Sequence, residues 1–130
     1  AERSLCEEMA RRHGVPMVFV THYPRQIRPM YAMPDPADAA LTRSFDLLYD
    51  GLEITTGGQR IHEHAMLVEA IVSRGLDPAG FGYYLEAFRY GMPPHGGFAI
   101  GLERLTKQIL GLRNVREASL FPRDRHRLVP

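Results

Sequence analysis

Asp46 and Glu53 stand on either side of an Asp50-Gly51 pair, inside two runs of strand-forming residues, 44–49 and 52–56. Asp-Gly between two β-like runs is the strongest short hairpin signal. With a two-residue loop, Tyr49 faces Leu52, Leu48 faces Glu53 and Asp46 faces Thr55. Side chains alternate, so Asp46, Leu48, Glu53 and Thr55 share one face, and the two acids become diagonal neighbours roughly 7–8 Å apart at the backbone. Two like charges at that spacing repel unless a cation or proton sits between them. A Mg²⁺ ion held by one or two carboxylates and by substrate phosphates suits them. Two solvated acids on the outer face of a sheet would have the same spacing.

Arg60 lies seven positions after Glu53. In an unbroken strand that odd separation turns it to the other face. A one-residue bulge at Gly57-Gly58 would bring it back, since glycines mark such bulges. Arg60 could then offer a planar fork to a carboxylate, either a ligand's or one in a structural salt bridge. Gly96 to Arg104 form a second constellation: a Gly-rich turn, a short strand, Gly101, and a helix carrying Arg104 in its first turn. Glycines allow close backbone approach. A helix N-terminus favours anions, and Arg104 could stack on a base or grip phosphate. It is not a Walker loop, because Gly-Lys-Ser/Thr is absent. An ordinary β-turn-helix, with Arg104 paired to Glu103 or to solvent, fits the same residues.

The elements that must position these groups read as a mixture. Residues 1–13 are expected to be helical, with Gly14 as a stop, and residues 17–20 form a short apolar strand. Residues 22–43 hold four prolines (Pro24, Pro29, Pro34 and Pro36) that forbid regular helix or central strand. The aromatic and methionine content of that stretch argues for an ordered, packed loop. After the hairpin, Gly57-Gly58 should interrupt the strand. A helix follows over 62–74. Asp77-Pro78 opens another as N-cap and first-turn proline, ending at Gly91. Residues 92–97 read as a loop, 98–100 as a strand, 101–110 as a helix closed by Gly111, and 115–118 as one helical turn. An antiparallel hairpin among mixed elements points to an α+β fold: an antiparallel sheet flanked by helices.

Length and composition bound the rest. A chain of 130 residues suggests one domain. With 45% apolar and 24% charged residues it has an ordinary globular composition. No apolar run nears the ~20 residues of a membrane span. No apolar stretch follows Ala1-Glu2-Arg3-Ser4, so no signal peptide is visible. The single cysteine, Cys6, excludes an internal disulfide framework and a multi-cysteine zinc site. It fits the reducing cytosol, so a cytoplasmic location is expected. A formal net charge of +1 does not announce a nucleic-acid binder. His62 and His64 are two apart and share no helix face; His95 enters the glycine-rich turn and is the histidine worth testing.

Residues 97–104, Gly-Phe-Ala-Ile-Gly-Leu-Glu-Arg, resemble motif 3 of the class II aminoacyl-tRNA synthetases. The resemblance covers essentially the whole chain. Phe45-Asp46-Leu47, Gly51-Leu52-Glu53-Ile54, Gly57-Gly58-Gln59-Arg60-Ile61-His62, residues 84–97 and Phe121-Pro122-Arg123-Asp124 look like aspartyl-tRNA synthetase. The compact archaeal-type form is nearest, with asparaginyl-tRNA synthetase next. Tyr23-Pro24, Arg28-Pro29 and Tyr31-Ala32-Met33-Pro34 fit the same pattern.

The resemblance implies a partial class II catalytic fold and a role for each matching position. Asp46 and Glu53 match acids that hold Mg²⁺ against ATP phosphates. Thr56 falls where the family usually has serine and keeps the hydroxyl. Arg60 matches the arginine that grips the side-chain carboxylate of aspartate. Arg104 matches the arginine that stacks on adenine and reaches the terminal phosphate, and with Glu53 it is the residue implied in catalysis. Gly97 and Gly101 match the floor of the ATP pocket. The implied substrates are aspartate and ATP, with tRNA(Asp) and a homodimer in a full-length enzyme.

The 130 residues contain no counterpart of motifs 1 and 2, including the Phe-Arg-x-Glu that grips the α-phosphate, and no anticodon-reading barrel. The chain is therefore expected to be the C-terminal portion of a catalytic domain, cut on its N-terminal side, with motif 3 at 96–104. By itself it is expected to be inactive or nearly so. Two alternatives stand beside this. One is a truncated paralogue acting as a non-tRNA amino-acid ligase, like an asparagine synthetase. The other is a non-catalytic module that binds ATP or a partner.

Overall fold

The computed structural model describes residues 2–129. Four helices, α1 (Glu2–His13), α2 (His64–Val72), α3 (Gly82–Arg89) and α4 (Leu102–Leu110), flank four strands. The strands are β1 (Met17–Thr21), β2 (Ser44–Tyr49), β3 (Leu52–Arg60) and β4 (His95–Ile100). They form one antiparallel sheet in the order β1-β2-β3-β4, so the fold is α+β. Short 3₁₀ turns occupy Arg25–Ile27, Pro78–Phe81 and Val115–Ala118. No helix among the described residues is long and apolar enough to cross a membrane. The chain divides into two compact units. The first holds Ala1–Phe19, Asp46–Thr56 and Ala99–Pro130; the second holds Val20–Phe45 and Gly57–Phe98.

In the first unit the hairpin turn falls on Asp50-Gly51. Both residues have positive φ, 47° and 72°. Two left-handed residues make a type I′ turn, whose twist matches that of the flanking strands. A Cβ on Gly51 would also stand 2.9 Å from the Cα of Arg3. Replacing Gly51 by alanine is therefore expected to cost at least the roughly 1–2 kcal/mol of a left-handed residue. The urea unfolding midpoint should fall accordingly, and an unchanged midpoint would show that the turn is not constrained. Among the described residues of this unit, Leu48, Ile54 and Cys6 are the buried apolar ones.

The register beyond the turn carries one surprise. Gln59 N–H donates to the Arg43 carbonyl at 2.9 Å. Six residues separate Tyr49 from Arg43, but seven separate Leu52 from Gln59, so β3 holds one extra residue. Such an insertion is what the parity of Arg60 required. It does not lie at Gly57-Gly58, however. Thr56 Oγ1, rather than a Thr55 side chain, meets Asp46 Oδ1, at 2.6 Å. The extra residue thus sits between Glu53 and Thr56, where Ile54 and Thr55 are consecutively buried.

The glycine pair does not interrupt the strand either: β3 runs through it to Arg60. Within the second unit, a Cβ on Gly57 would lie 2.7 Å from both the Phe45 ring and the Phe98 Cβ. Glycine is present because the sheet is too crowded there for a side chain. The same crowding explains why β4 begins at His95 rather than at Phe98. A Cβ on Gly96 would stand 2.8 Å from the Gly58 carbonyl, so the backbones approach closely enough to pair. Helix α3 also starts later than expected. Asp77 Oδ1 accepts from Ala79 N–H at 3.0 Å, but the turn it caps is 3₁₀, and the α-helix begins at Gly82.

The second unit has the larger core. Met33, Ile61, Leu67, Ala70, Ile71, Leu85 and Phe88 form its buried cluster. The proline-rich stretch is ordered, as its aromatic content suggested. Isolated antiparallel bridges pair Pro24 with Leu41, Pro34 with Thr42 and Ala32 with Arg60. The buried Thr42 hydroxyl lies 3.0 Å from the Tyr23 carbonyl and 2.7 Å from the Ser44 hydroxyl.

Candidate active site

Two groups of residues hold the positions singled out by sequence, one in each unit. In the first unit, Asp46 projects from β2 and is only 5% exposed. This is not the solvated acid that an outer sheet face would carry. Its Oδ1 accepts the Thr56 hydroxyl at 2.6 Å. That hydrogen bond orients the carboxylate and partly satisfies its buried charge.

Glu53, on β3, meets Arg104 from the first turn of α4. Arg104 Nη1 donates to the Glu53 carbonyl oxygen at 2.9 Å and to Oε1 at 3.0 Å. The arginine is thus paired neither with Glu103 nor with solvent alone. Gly101 makes this possible. Its N–H donates to the Ile54 carbonyl at 2.8 Å, tying the start of α4 to β3. A Cβ on Gly101 would press on Arg104 Cδ at 3.3 Å.

The donor set of this unit consists of carboxylate and hydroxyl oxygens, which are hard ligands suited to Mg²⁺. No three His, Cys, Asp or Glu side chains among the described residues converge as a metal cage. Mg²⁺ rarely uses such a cage; it takes one or two carboxylates and completes its shell with water and phosphate oxygens. Asp46, Glu53 and Thr56 fit the ion on those chemical terms.

In the second unit Arg60 ends β3, with its guanidinium carbon 5.1 Å from the centre of the Tyr31 ring. The ring face is electron-rich and attracts the cation. Backbone bonds fix Tyr31 there: Ile61 N–H donates to the Tyr31 carbonyl at 2.8 Å. A Cβ on Gly97 would stand 3.3 Å from Arg60 Nη2, so glycine leaves the guanidinium room. Burial raises the Tyr84 phenol above its usual pKa, and the positive charge of Arg60 opposes that rise. Among the described residues no acid pairs with Arg60, so the structural salt bridge weighed from sequence is not what holds it.

Neither Tyr31 nor Tyr84 stands out in the sequence as a neighbour of Arg60. The signal for Tyr31 was an aromatic beside prolines in a long loop; Tyr84 carried none, being one of several aromatics on a helix. His95 is engaged locally, with Nδ1 3.0 Å from the Pro93 carbonyl. It lines a cleft of about 680 Å³ with Phe45, Gln59, Gly97 and Phe98.

A family model for class II tRNA synthetases (D, K and N) matches residues 1–125. The chain belongs to this family. Over all 130 residues this synthetase chain is 59% identical to aspartate–tRNA(Asp/Asn) ligase of Thermus thermophilus, covering 30% of that protein. It is 52% identical over 129 residues to aspartate–tRNA(Asp) ligase of Thermococcus kodakarensis, covering 99% of this chain and 30% of that protein. The chain thus spans about 30% of the length of these curated relatives. Among solved structures, aspartyl tRNA synthetase from Entamoeba histolytica superposes with a TM-score of 0.94 at 42% identity, over 99% of this chain and 27% of that one. Asparaginyl-tRNA synthetase from Pyrococcus horikoshii gives 0.89 at 38% identity, over 99% and 30%.

Proposed function

We propose that the chain is the C-terminal part of the catalytic domain of an archaeal-type aspartate–tRNA ligase, with motif 3 at 96–104. In this reading the enzyme joins aspartate to the α-phosphate of ATP, giving aspartyl-adenylate and pyrophosphate, and then passes the aspartyl group to tRNA. Arg60 grips the side-chain carboxylate of aspartate through a two-pronged, charge-assisted contact. Arg104 stacks on the adenine and reaches the terminal phosphate. Gly97 and Gly101 keep the backbone low beneath the nucleotide. Asp46, Glu53 and Thr56 would hold Mg²⁺, which when bound supplies positive charge against the phosphates. No protein nucleophile is needed, and Cys6 lies outside every motif.

The observation that carries the reading is Arg60: a guanidinium on a tyrosine face, with space kept by Gly97 and, among the described residues, no acid paired with it. A carboxylate ligand is what that arrangement lacks. The identity to aspartate–tRNA ligases in two organisms supports aspartate over asparagine. tRNA and a second subunit are partners of the longer enzyme, and a cytoplasmic location goes with the activity. Calorimetric titration with a non-hydrolysable aspartyl-adenylate analogue tests the pocket. A second expectation follows from the absence of Phe-Arg-x-Glu in these 130 residues. The isolated chain should show negligible aspartate-dependent pyrophosphate exchange, and robust turnover would refute this.

A further inference from the structure

The formal charge of the chain is only +1, but it is unevenly spread. Residues 113–129 carry five arginines (Arg113, Arg116, Arg123, Arg125 and Arg127) against two acids, whereas residues 1–112 carry more acids than bases. All five arginines are exposed. Both acids are engaged locally. Glu117 Oε1 accepts the Asn114 N–H at 3.0 Å and closes a capping box on the 3₁₀ turn at Val115–Ala118. Asp124 Oδ1 accepts the N–H groups of His126 and Arg127 at 2.6 and 2.9 Å. Its Oδ2 pairs with Arg116 Nη1 at 2.8 Å, which joins the 3₁₀ turn to the segment 124–127. Among the described residues no acid pairs with Arg113, Arg123, Arg125 or Arg127. Phe121, beside them in sequence, is 64% exposed. We propose that this segment is an RNA-docking surface. Its arginines take phosphodiesters of the backbone, and Phe121 stacks on an unpaired base. The RNA is supplied by the proposed function, on which this inference rests.

The physical argument is one of charge and shape. With both acids turned to local hydrogen bonds, the groups left facing solvent are cationic. A planar guanidinium matches the oxygens of a phosphate and grips it with two donors. Each phosphate so neutralised releases condensed counterions, which gives affinity without sequence preference. An aromatic ring among basic groups adds stacking, which every base can supply. None of these residues belongs to the proposed aspartate or ATP sites. A lipid surface would attract the arginines as well. Residues 119–129 hold no helix, however, and irregular backbone does not enter hydrocarbon, where its N–H and C=O groups would lack partners. RNA is met from the water side and asks for no such burial.

The test titrates the chain into a fluorescently labelled RNA hairpin with an unpaired 3′ strand, at several salt concentrations. The original chain should bind. The logarithm of its affinity should fall linearly with that of salt, by about 0.7–0.9 per phosphate contacted. Arg123→Gln, Arg125→Gln and Arg127→Gln combined in one chain should weaken binding by about tenfold or more at low salt, and flatten the slope by roughly one unit per arginine. Phe121→Ala should weaken it about fivefold or more and leave the slope unchanged. Both variants should bind the aspartyl-adenylate analogue as the original chain does. A combined variant with the original affinity and slope would overturn the surface and leave the functional reading standing. So would an original chain that binds the analogue but no RNA; one that binds neither would fell both. Binding to phosphatidylserine vesicles without binding to RNA would make the segment a membrane contact and overturn the proposal. Should the combined variant fail to fold, Arg125→Gln alone decides: its slope should flatten by about one unit, and an unchanged slope would count against the surface.

Discussion

Replacing Arg60 by alanine is expected to weaken binding of the aspartyl-adenylate analogue by about a hundredfold or more. Each hydrogen bond to a charged group contributes roughly 1.5–3 kcal/mol, and a two-pronged contact forfeits two of them. A loss of about 3 kcal/mol corresponds to a factor of about 100 in affinity. The folded state should hardly notice, because no acid among the described residues depends on Arg60 and its side chain lies at the exposed end of β3. Thermal unfolding of the variant should therefore match the original. Arg60→Lys keeps the charge and discards the planar fork, so it should recover only part of the affinity. Equal binding by Arg60→Ala and the original chain would remove Arg60 from the site.

The largest effect on stability is expected next door, at Ile61. It is fully buried in the cluster with Leu67, Ile71 and Phe88. Ile61→Ala should cost about 2–5 kcal/mol, from the lost transfer free energy and the cavity left behind. Against a total stability of about 5–15 kcal/mol, that is a large fraction. The backbone N–H of Ile61 also holds the Tyr31 carbonyl, and Tyr31 lies under Arg60. Loosening the core should therefore loosen the arginine. Ile61→Val, expected to cost only about 0.5–1.5 kcal/mol, should keep the binding of the analogue. Denaturant midpoints for the two variants, read with the binding data, separate packing from recognition. A cost below about 1 kcal/mol for the alanine variant would mean that Ile61 does not anchor this core.

Much of this protein was legible in local sequence because the signals are local. Asp50-Gly51 demanded a two-residue turn, and both residues take the left-handed conformation that such a turn needs. Gly111 closes α4 with a positive φ of 63°. The prolines of the loop forbade helix and sheet, and its aromatics announced order. Glycine was the misleading residue. A Gly-Gly pair inside a strand reads as a break or a bulge, but here it marks crowding. Phe45, Phe98 and the strand backbones occupy the volume that a Cβ would need, and no local pattern reveals neighbours so distant in sequence.

Local sequence settled the hairpin, most of the element types and the chemical character of the candidate groups: two acids, a hydroxyl and two arginines at telling positions. Tertiary structure alone decided the partners. Arg104 meets Glu53 across 51 residues of chain, and Tyr31 meets Arg60 through a bridge between a loop and a strand. It also decided the register, by placing the extra residue before Thr56 rather than at the glycines. The physical reason is the same in each case. Turn and helix signals are set by backbone preferences over a few residues, whereas pairing and register are set by which distant surfaces come together to bury their apolar side chains.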